Sequence, residues 1–222
     1  MEIKPIATIY TAFKEKFGIP RQSLRGKNLF GRIVFEKEFR SKESLRGIED
    51  FSHLWLIFDF SKNHREGFSP TVRPPRLGGN ARVGVFASRS PFRPNNLGLS
   101  SVRLIKTEDT VDGTVLIVEG VDILDGTPIY DIKPYLPSDC HPDAKGSYAE
   151  NTHKLTVKIK TELENLLDSQ TKTAIISCIE DDPRPSYQDD CTRVYTMRFA
   201  DNDVSFTVDG IVATVIDIKK IV

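Results

Sequence analysis

The amino-acid sequence predicts a mainly β protein, a sandwich or a barrel, followed by a small α+β unit. Three observations carry that expectation. Short apolar runs bounded by Gly, Pro, Asn or Asp crowd the first two thirds of the chain. The helix after each strand that a doubly wound parallel sheet needs is missing. Beyond position 151 the pattern changes to helical spacing and then to three closely spaced strands.

In chain order, strands are expected over Ile3–Tyr10, Leu29–Phe35, Leu54–Phe60, Arg82–Phe86, Ser101–Lys106, Thr114–Val118 and Ile129–Ile132. Each is short and rich in β-branched or aromatic residues. One helix is expected between Lys42 and Ile48, with Ser41 as N-cap. Residues 134–151, PYLPSDCHPDAKGSYAEN, read as a linker or long loop. Helical spacing covers Glu162–Leu167 and Thr173–Asp181, the second with Ile175, Cys178 and Ile179 on one face. The stretch DDPRPSY, Asp181–Tyr187, stops that helix. Val194–Phe199, Val204–Val208 and Ile211–Ile218 follow as an antiparallel meander, turned at Asp201, Asn202 and Asp203 and at Asp209 and Gly210. The expected organisation is a β domain over 1–140, a linker over 141–160 and an α+β domain over 161–222.

Composition narrows the function classes. The 222 residues are 39% hydrophobic and 28% charged, which suits a packed core and not disorder. Formal net charge is zero, so any nucleic-acid contact must come from a local patch. Cys140, Cys178 and Cys191 are odd in number and lack CxxC spacing, which disfavours a disulfide framework or a cysteine zinc site. The opening MEIKPIATIY has no apolar signal-like core, and no run is long enough to span a bilayer. A soluble cytoplasmic protein is expected, with no membrane partner.

Chemistry concentrates in three places. The first is Arg73–Ser101, with Arg73 and Arg76 around a Pro-Pro pair, then Gly78 and Gly79, then Arg82, Arg89 and Arg93. Prolines stiffen such a run, and arginine pairs bidentately with carboxylate or phosphate. It reads equally as a preorganised anion site or as a solvated, salt-bridged loop. The second is Asp122–Pro137, DILDGTPIYDIKPYLP, where Asp125 and Gly126 mark a turn. Asp131, Lys133 and Tyr135 alternate on one face of the strand after it, either as a site or as an ordinary exposed face. The third is DDPRPSY, a rigid turn presenting Arg184 and Tyr187 either to nucleic acid or to a domain seam. His53, His64, His141 and His153 have no metal-ligand spacing, so no metal is expected. P-loop, GxSxG and GxGxxG patterns do not occur.

With these residues in view, the sequence resembles the TrmO (TsaA-like) tRNA methyltransferases. The resemblance rests on KEKFGIPRQ, FSHLWL, VRPPRLGGN, the RLGGNARVGVFASRSPFRPNNLGLSSVRL region, DGTPIYDIKPYLP and DPRPSY, which keep the family's order over nearly the whole chain. It implies a β-barrel, non-Rossmann methyltransferase that uses S-adenosylmethionine. It implies methylation of N6 of N6-threonylcarbamoyladenosine, next to the tRNA anticodon, by a homodimer. The family's cofactor segments fall on Pro20, Arg21 and Gln22, on Ser61 and Lys62, on Arg89 and Leu99, and on Asp125, Gly126, Thr127 and Pro128. At Ser61 and Lys62 the pair departs from the family's usual residues, which points to backbone contacts. Tyr135, Asp131 and Lys133 are the catalytic candidates. Arg93 or Lys133 would meet the threonyl carboxylate, and Arg73, Arg76 and Arg184 the RNA backbone. The alternatives are a non-enzymatic RNA-binding module and a methyltransferase for another substrate.

Overall fold

The computed structural model describes residues 2–78, 80–146, 154–185 and 187–221. Six strands close a barrel: β1 (Ala7–Thr11), β2 (Phe30–Phe35), β3 (His53–Asp59), and, after the short pair β4 (Thr71–Val72) and β5 (Val83–Gly84), β6 (Leu97–Thr110), β7 (Gly113–Glu119) and β8 (Thr127–Pro134). Around the barrel the order is β1-β2-β7-β6-β3-β8, and every pairing, including the closing β1–β8 pair, is antiparallel. Closure leaves no unpaired barrel edge.

Alternation puts the core inside. In β3, Leu54, Leu56 and Phe58 point inward, while His53, Trp55 and Ile57 are only half-buried. Ala7, Ile9, Ile33, Val102, Leu116 and Ile129 complete the interior, each fully buried. Each large aliphatic side chain taken out of water contributes about 1.5–3 kcal/mol, so this interior outweighs the exposed ion pairs of the outer face, worth about 0–1 kcal/mol each.

Several local expectations are corrected. Lys42–Ile48 is not one helix: two 3-10 turns, Lys42–Leu45 and Ile48–Asp50, flank Gly47, whose φ of 82° ends the first, and Ser41 makes no side-chain cap. Arg82–Phe86 supplies only the two residues of β5 and then turns into 3-10 geometry, so it is not a barrel strand. The strand expected over Ser101–Lys106 runs from Leu97 to Thr110, with a register shift between Leu104 and Lys106. That bulge lets one long strand follow a tightly curved wall.

The C-terminal unit packs α1 (Ser169–Glu180) on a sheet of β9 (Thr156–Ile159), β10 (Tyr195–Phe199), β11 (Asn202–Asp209) and β12 (Val212–Lys220), ordered β10-β11-β12-β9. The antiparallel meander is present, but β9 adds a fourth strand, parallel to β12, from within the expected linker. The helix begins earlier than Thr173, because the Asp168 carboxylate accepts from the Gln170 and Thr171 backbone N–H groups. Thr161–Leu166 is a 3-10 segment, not an α-helix.

The two units share one apolar core. Phe13 bridges Phe199, with rings at 5.6 Å and 81°, and Phe17 stacks on Tyr195 and Phe206. Gly98 in β6 lies against the Phe58 ring so closely that a Cβ there would enter it. Gly98→Ala should therefore cost about 1–3 kcal/mol, read as a lowered urea midpoint with unchanged m-value.

Candidate functional site

At one end of the barrel a cleft of about 680 Å³ opens between four stretches of chain. Lys16–Gln22 forms one wall, and Phe58–Asn63 leaves β3 to form the next. Ser88–Arg93 with Leu97–Ser100 forms the third, and Asp122–Leu124 with Thr127 closes the floor. Barrel closure brings these together, since β3 pairs with both β6 and β8.

Each wall has its own brace. The Lys16–Gln22 segment is held from the C-terminal unit: the Arg21 N–H donates to Asp181 Oδ2 at 3.2 Å, and the Arg21 guanidinium donates to the Asp182 and Arg184 carbonyls at 3.0 and 2.8 Å. Arg25 pairs with Asp181 at 2.6 Å, with both side chains largely buried. The Ser88–Arg93 wall is braced internally. Arg93 Nη1 donates to the Ser88 carbonyl at 2.8 Å and the Val85 carbonyl at 3.2 Å, and Asn96 donates to the Pro91 carbonyl at 2.7 Å. On the floor, the Asp125 carboxylate accepts from the Thr11 N–H at 2.8 Å and pairs with Lys14 at 2.7 Å. Gly126 at φ 71° makes the turn that returns the chain into β8.

The sequence-derived residues divide accordingly. Pro20, Arg21, Gln22, Ser61, Lys62, Arg89, Leu99, Thr127 and Arg93 all line the cleft. Asp125, Gly126 and Pro128 shape the floor loop without lining it. Asp131, Lys133 and Tyr135 also lie off the cleft wall, on the outer barrel face beside Trp55. Lys133 pairs with Asp131 at 2.9 Å, and the Tyr135 ring sits 5.1 Å from that of Trp55, which does line the cleft. Arg184 is buried, only 8% exposed, and chelates Asp182 at 2.8 and 3.0 Å, so its guanidinium is not free to meet RNA. Arg73 is exposed beyond β4, away from the cleft wall. The Arg76 side chain lies outside the described residues.

Sequence reasoning missed Trp55, Phe58, Asp59 and Asp122. Asp59 is bound by His64 Nε2 at 2.7 Å. Asp122 has an oxygen, Oδ1, shielded from solvent and without a hydrogen-bond partner. Burial pushes its carboxyl up to about 6, against the opposing pull of the Ser100 hydroxyl, nearby backbone N–H groups and Arg89. Only its place in a quoted motif hinted at it, because burial is not visible in one dimension. Among the described residues no group of three or more His, Cys, Asp or Glu is placed to hold a metal ion, and no helix is long and apolar enough to cross a membrane.

The volume falls within the ~300–1,000 Å³ of small-molecule pockets. Aromatic walls, an arginine and a shielded carboxylate with an unused acceptor fit an adenosyl amino acid, which carries a flat base, an anion and cations. Barrel and cleft define a small-molecule-binding β-barrel, and the site owes nothing to the strand–turn–helix of a Rossmann fold.

Comparison with known proteins makes the class specific. Residues 8–140 match the family model for the tRNA-methyltransferase O N-terminal domain, and residues 152–221 match that for the TrmO C-terminal domain. The chain belongs to the tRNA-methyltransferase O family. It is 38% identical to the tRNA (adenine(37)-N6)-methyltransferase of Escherichia coli K12, covering 93% of each chain. It is 46% identical to the enzyme of that name from Eikenella corrodens over 72% of this chain and 92% of that one. The crystal structure of TrmO from Pseudomonas aeruginosa superposes with a TM-score of 0.81 at 32% identity, covering 99% of this chain and 97% of that one.

Because Arg93 braces the wall that carries Arg89, its removal should reach beyond the substrate. Arg93→Ala should weaken S-adenosylmethionine binding about tenfold in calorimetry, the effect of losing about 1.4 kcal/mol of loop order. Unchanged affinity would return Arg93 to a substrate-only role.

Proposed function

We propose that this protein transfers the methyl group of S-adenosylmethionine to N6 of N6-threonylcarbamoyladenosine, immediately 3′ of the tRNA anticodon. The observation that carries the reading is the convergence of four distant segments on one cleft, in a chain of the tRNA-methyltransferase O family whose relatives are named for methylation at adenine 37. Curated relatives are also named as S-adenosylmethionine-dependent or S-adenosylmethionine-binding.

The bound cofactor supplies an electrophilic methyl group on a sulfonium. The chain's own task is then to orient the acceptor nitrogen in line, keep water out and take a proton. Phe58, Phe60 and Leu97 supply apolar wall, and Arg89 supplies a cation at the rim. The acceptor nitrogen belongs to a urea-like group whose lone pair is delocalised, so deprotonation assists attack. Of the three catalytic candidates, Tyr135 stands best for that role through its contact with Trp55, with Lys133 and Asp131 paired beside it. Arg93 retains donors for the threonyl carboxylate. Exposed Arg73 and Lys62 would meet RNA phosphates. A pool of cytoplasmic tRNA is the substrate source.

We also propose a homodimer. Phe68 and Phe86, 56% and 72% exposed, stack at 6.4 Å, and Leu99 is exposed at the cleft. A second copy would cover these rings and finish the cleft mouth. Sedimentation equilibrium at micromolar concentration should return twice the chain mass, and a monomer would overturn this arrangement.

The activity is tested with purified protein, S-adenosylmethionine and two tRNA pools, with and without threonylcarbamoyladenosine. Nucleoside mass spectrometry should find one added methyl on the modified nucleoside in the first pool alone. Methylation of unmodified adenosine, or none in either pool, would overturn the substrate assignment.

A further inference from the structure

The cleft contains two carboxylates, and they are not equivalent. Asp59 already holds the His64 imidazole. Asp122 keeps Oδ1 without a partner. The arginines differ in the same way. Arg21 donates to the Asp182 and Arg184 carbonyls and Arg93 to those of Val85 and Ser88. Arg89 donates to the Gln22 side-chain amide at 2.6 Å, and among the described residues no salt bridge engages it. Arg89 lies close enough to Asp122 to act on its charge without pairing with it. One carboxylate oxygen without a partner and one guanidinium outside any salt bridge among the described residues therefore lie near enough in the same cleft to feel each other's charge.

That pair is the complement of an α-amino acid, whose ammonium and carboxylate leave one carbon. We propose that Asp122 binds the α-ammonium of the cofactor's methionine tail, with the tail's carboxylate toward Arg89. This rests on the reading of the cleft as the S-adenosylmethionine site. The carboxylate torsion of an aspartate is broad and twofold. The oxygen that lacks a partner can thus turn to the cleft while Ser100 keeps the other. Tail recognition would then be a salt bridge made only when ligand arrives, and nucleosides without the amino acid would bind without it and more weakly.

The proposal has a readout separate from activity. The groups facing Asp122 are the Arg89 guanidinium, the Ser100 hydroxyl and the backbone N–H groups of Ser23 and Asp122. The acid sits near 6 in the free protein. An arriving cation favours the carboxylate, lowers that value and expels the proton, so binding near pH 6 releases about half a proton. The experiment is calorimetry on the full chain at pH 6 in two buffers of different ionisation enthalpy. Its ligands are S-adenosylmethionine, S-adenosylhomocysteine and methylthioadenosine.

The first two ligands should each release about half a proton, and methylthioadenosine, which lacks the amino acid, none. Asp122→Asn should abolish the release and weaken S-adenosylhomocysteine at least tenfold, leaving methylthioadenosine within twofold. The proton count on the unaltered protein stands even if that variant fails to fold. Equal release with methylthioadenosine would place Asp122 on the nucleoside. Release with S-adenosylmethionine alone would place it on the sulfonium. Binding without release would remove it from the contact. Each of these overturns the proposal while keeping the cofactor reading, and failure of all three ligands to bind overturns that reading instead.

Discussion

The buried ion pair of Arg25 with Asp181, together with the Arg21 contacts beside it, is the constraint on which the rest of the site depends. The chain between β1 and β2 runs along the seam between the barrel and the C-terminal unit. Its apolar side, Phe13 and Phe17, packs on Phe199, Tyr195 and Phe206. Its polar side grips the turn after α1. Lys27 adds a backbone N–H to the Ser177 hydroxyl at 3.1 Å. Desolvated charges of this kind add little net stability, but leaving one unpaired is costly, by about 3–5 kcal/mol. The seam thus has one register, and the Pro20–Gln22 wall of the cleft inherits it.

Arginine serves two ends in this molecule. Arg184 forks Nε and Nη2 onto the Asp182 carboxylate, whereas Arg21 and Arg93 each hold two backbone carbonyls from one terminal nitrogen. Arg89 instead reaches across the cleft wall to the Gln22 side-chain amide at 2.6 Å. Beside its prolines, the 85–96 loop is braced by arginine and asparagine chemistry: Arg93 and Asn96 donate to carbonyls that a loop would otherwise leave to water.

Much of the fold was legible in the sequence because strand alternation and turn chemistry are local. Leu54, Leu56 and Phe58 announce β3, and Asp125 with Gly126 announces the turn into β8. What escaped was non-local. The segment TVKI of β9 is short and sits in polar sequence, and it becomes a strand only because β12 offers a parallel partner over fifty residues away. Arg184 reads as a free cation until its burial is known. Asp122 reads as one more loop acid, since nothing in the chain order says that Ser100, Ser23 and Arg89 surround it. The alternation of Asp131, Lys133 and Tyr135 was correct as far as a shared face, but the register shift between Ile57 and Phe58 decides where that face looks.

The grip of Asp181 on Arg21 spans 160 residues of sequence. Translation delivers the two ends separately, at about 5–20 residues per second, so roughly ten to thirty seconds pass between them. For the last part of that interval, after β8 ends at Pro134, every barrel strand is already made, yet the wall at Pro20 still lacks its contacts with Asp181, Asp182 and Arg184. The strands of the barrel can therefore be complete before the cleft has its full wall, which the C-terminal unit finishes by clasping Arg21.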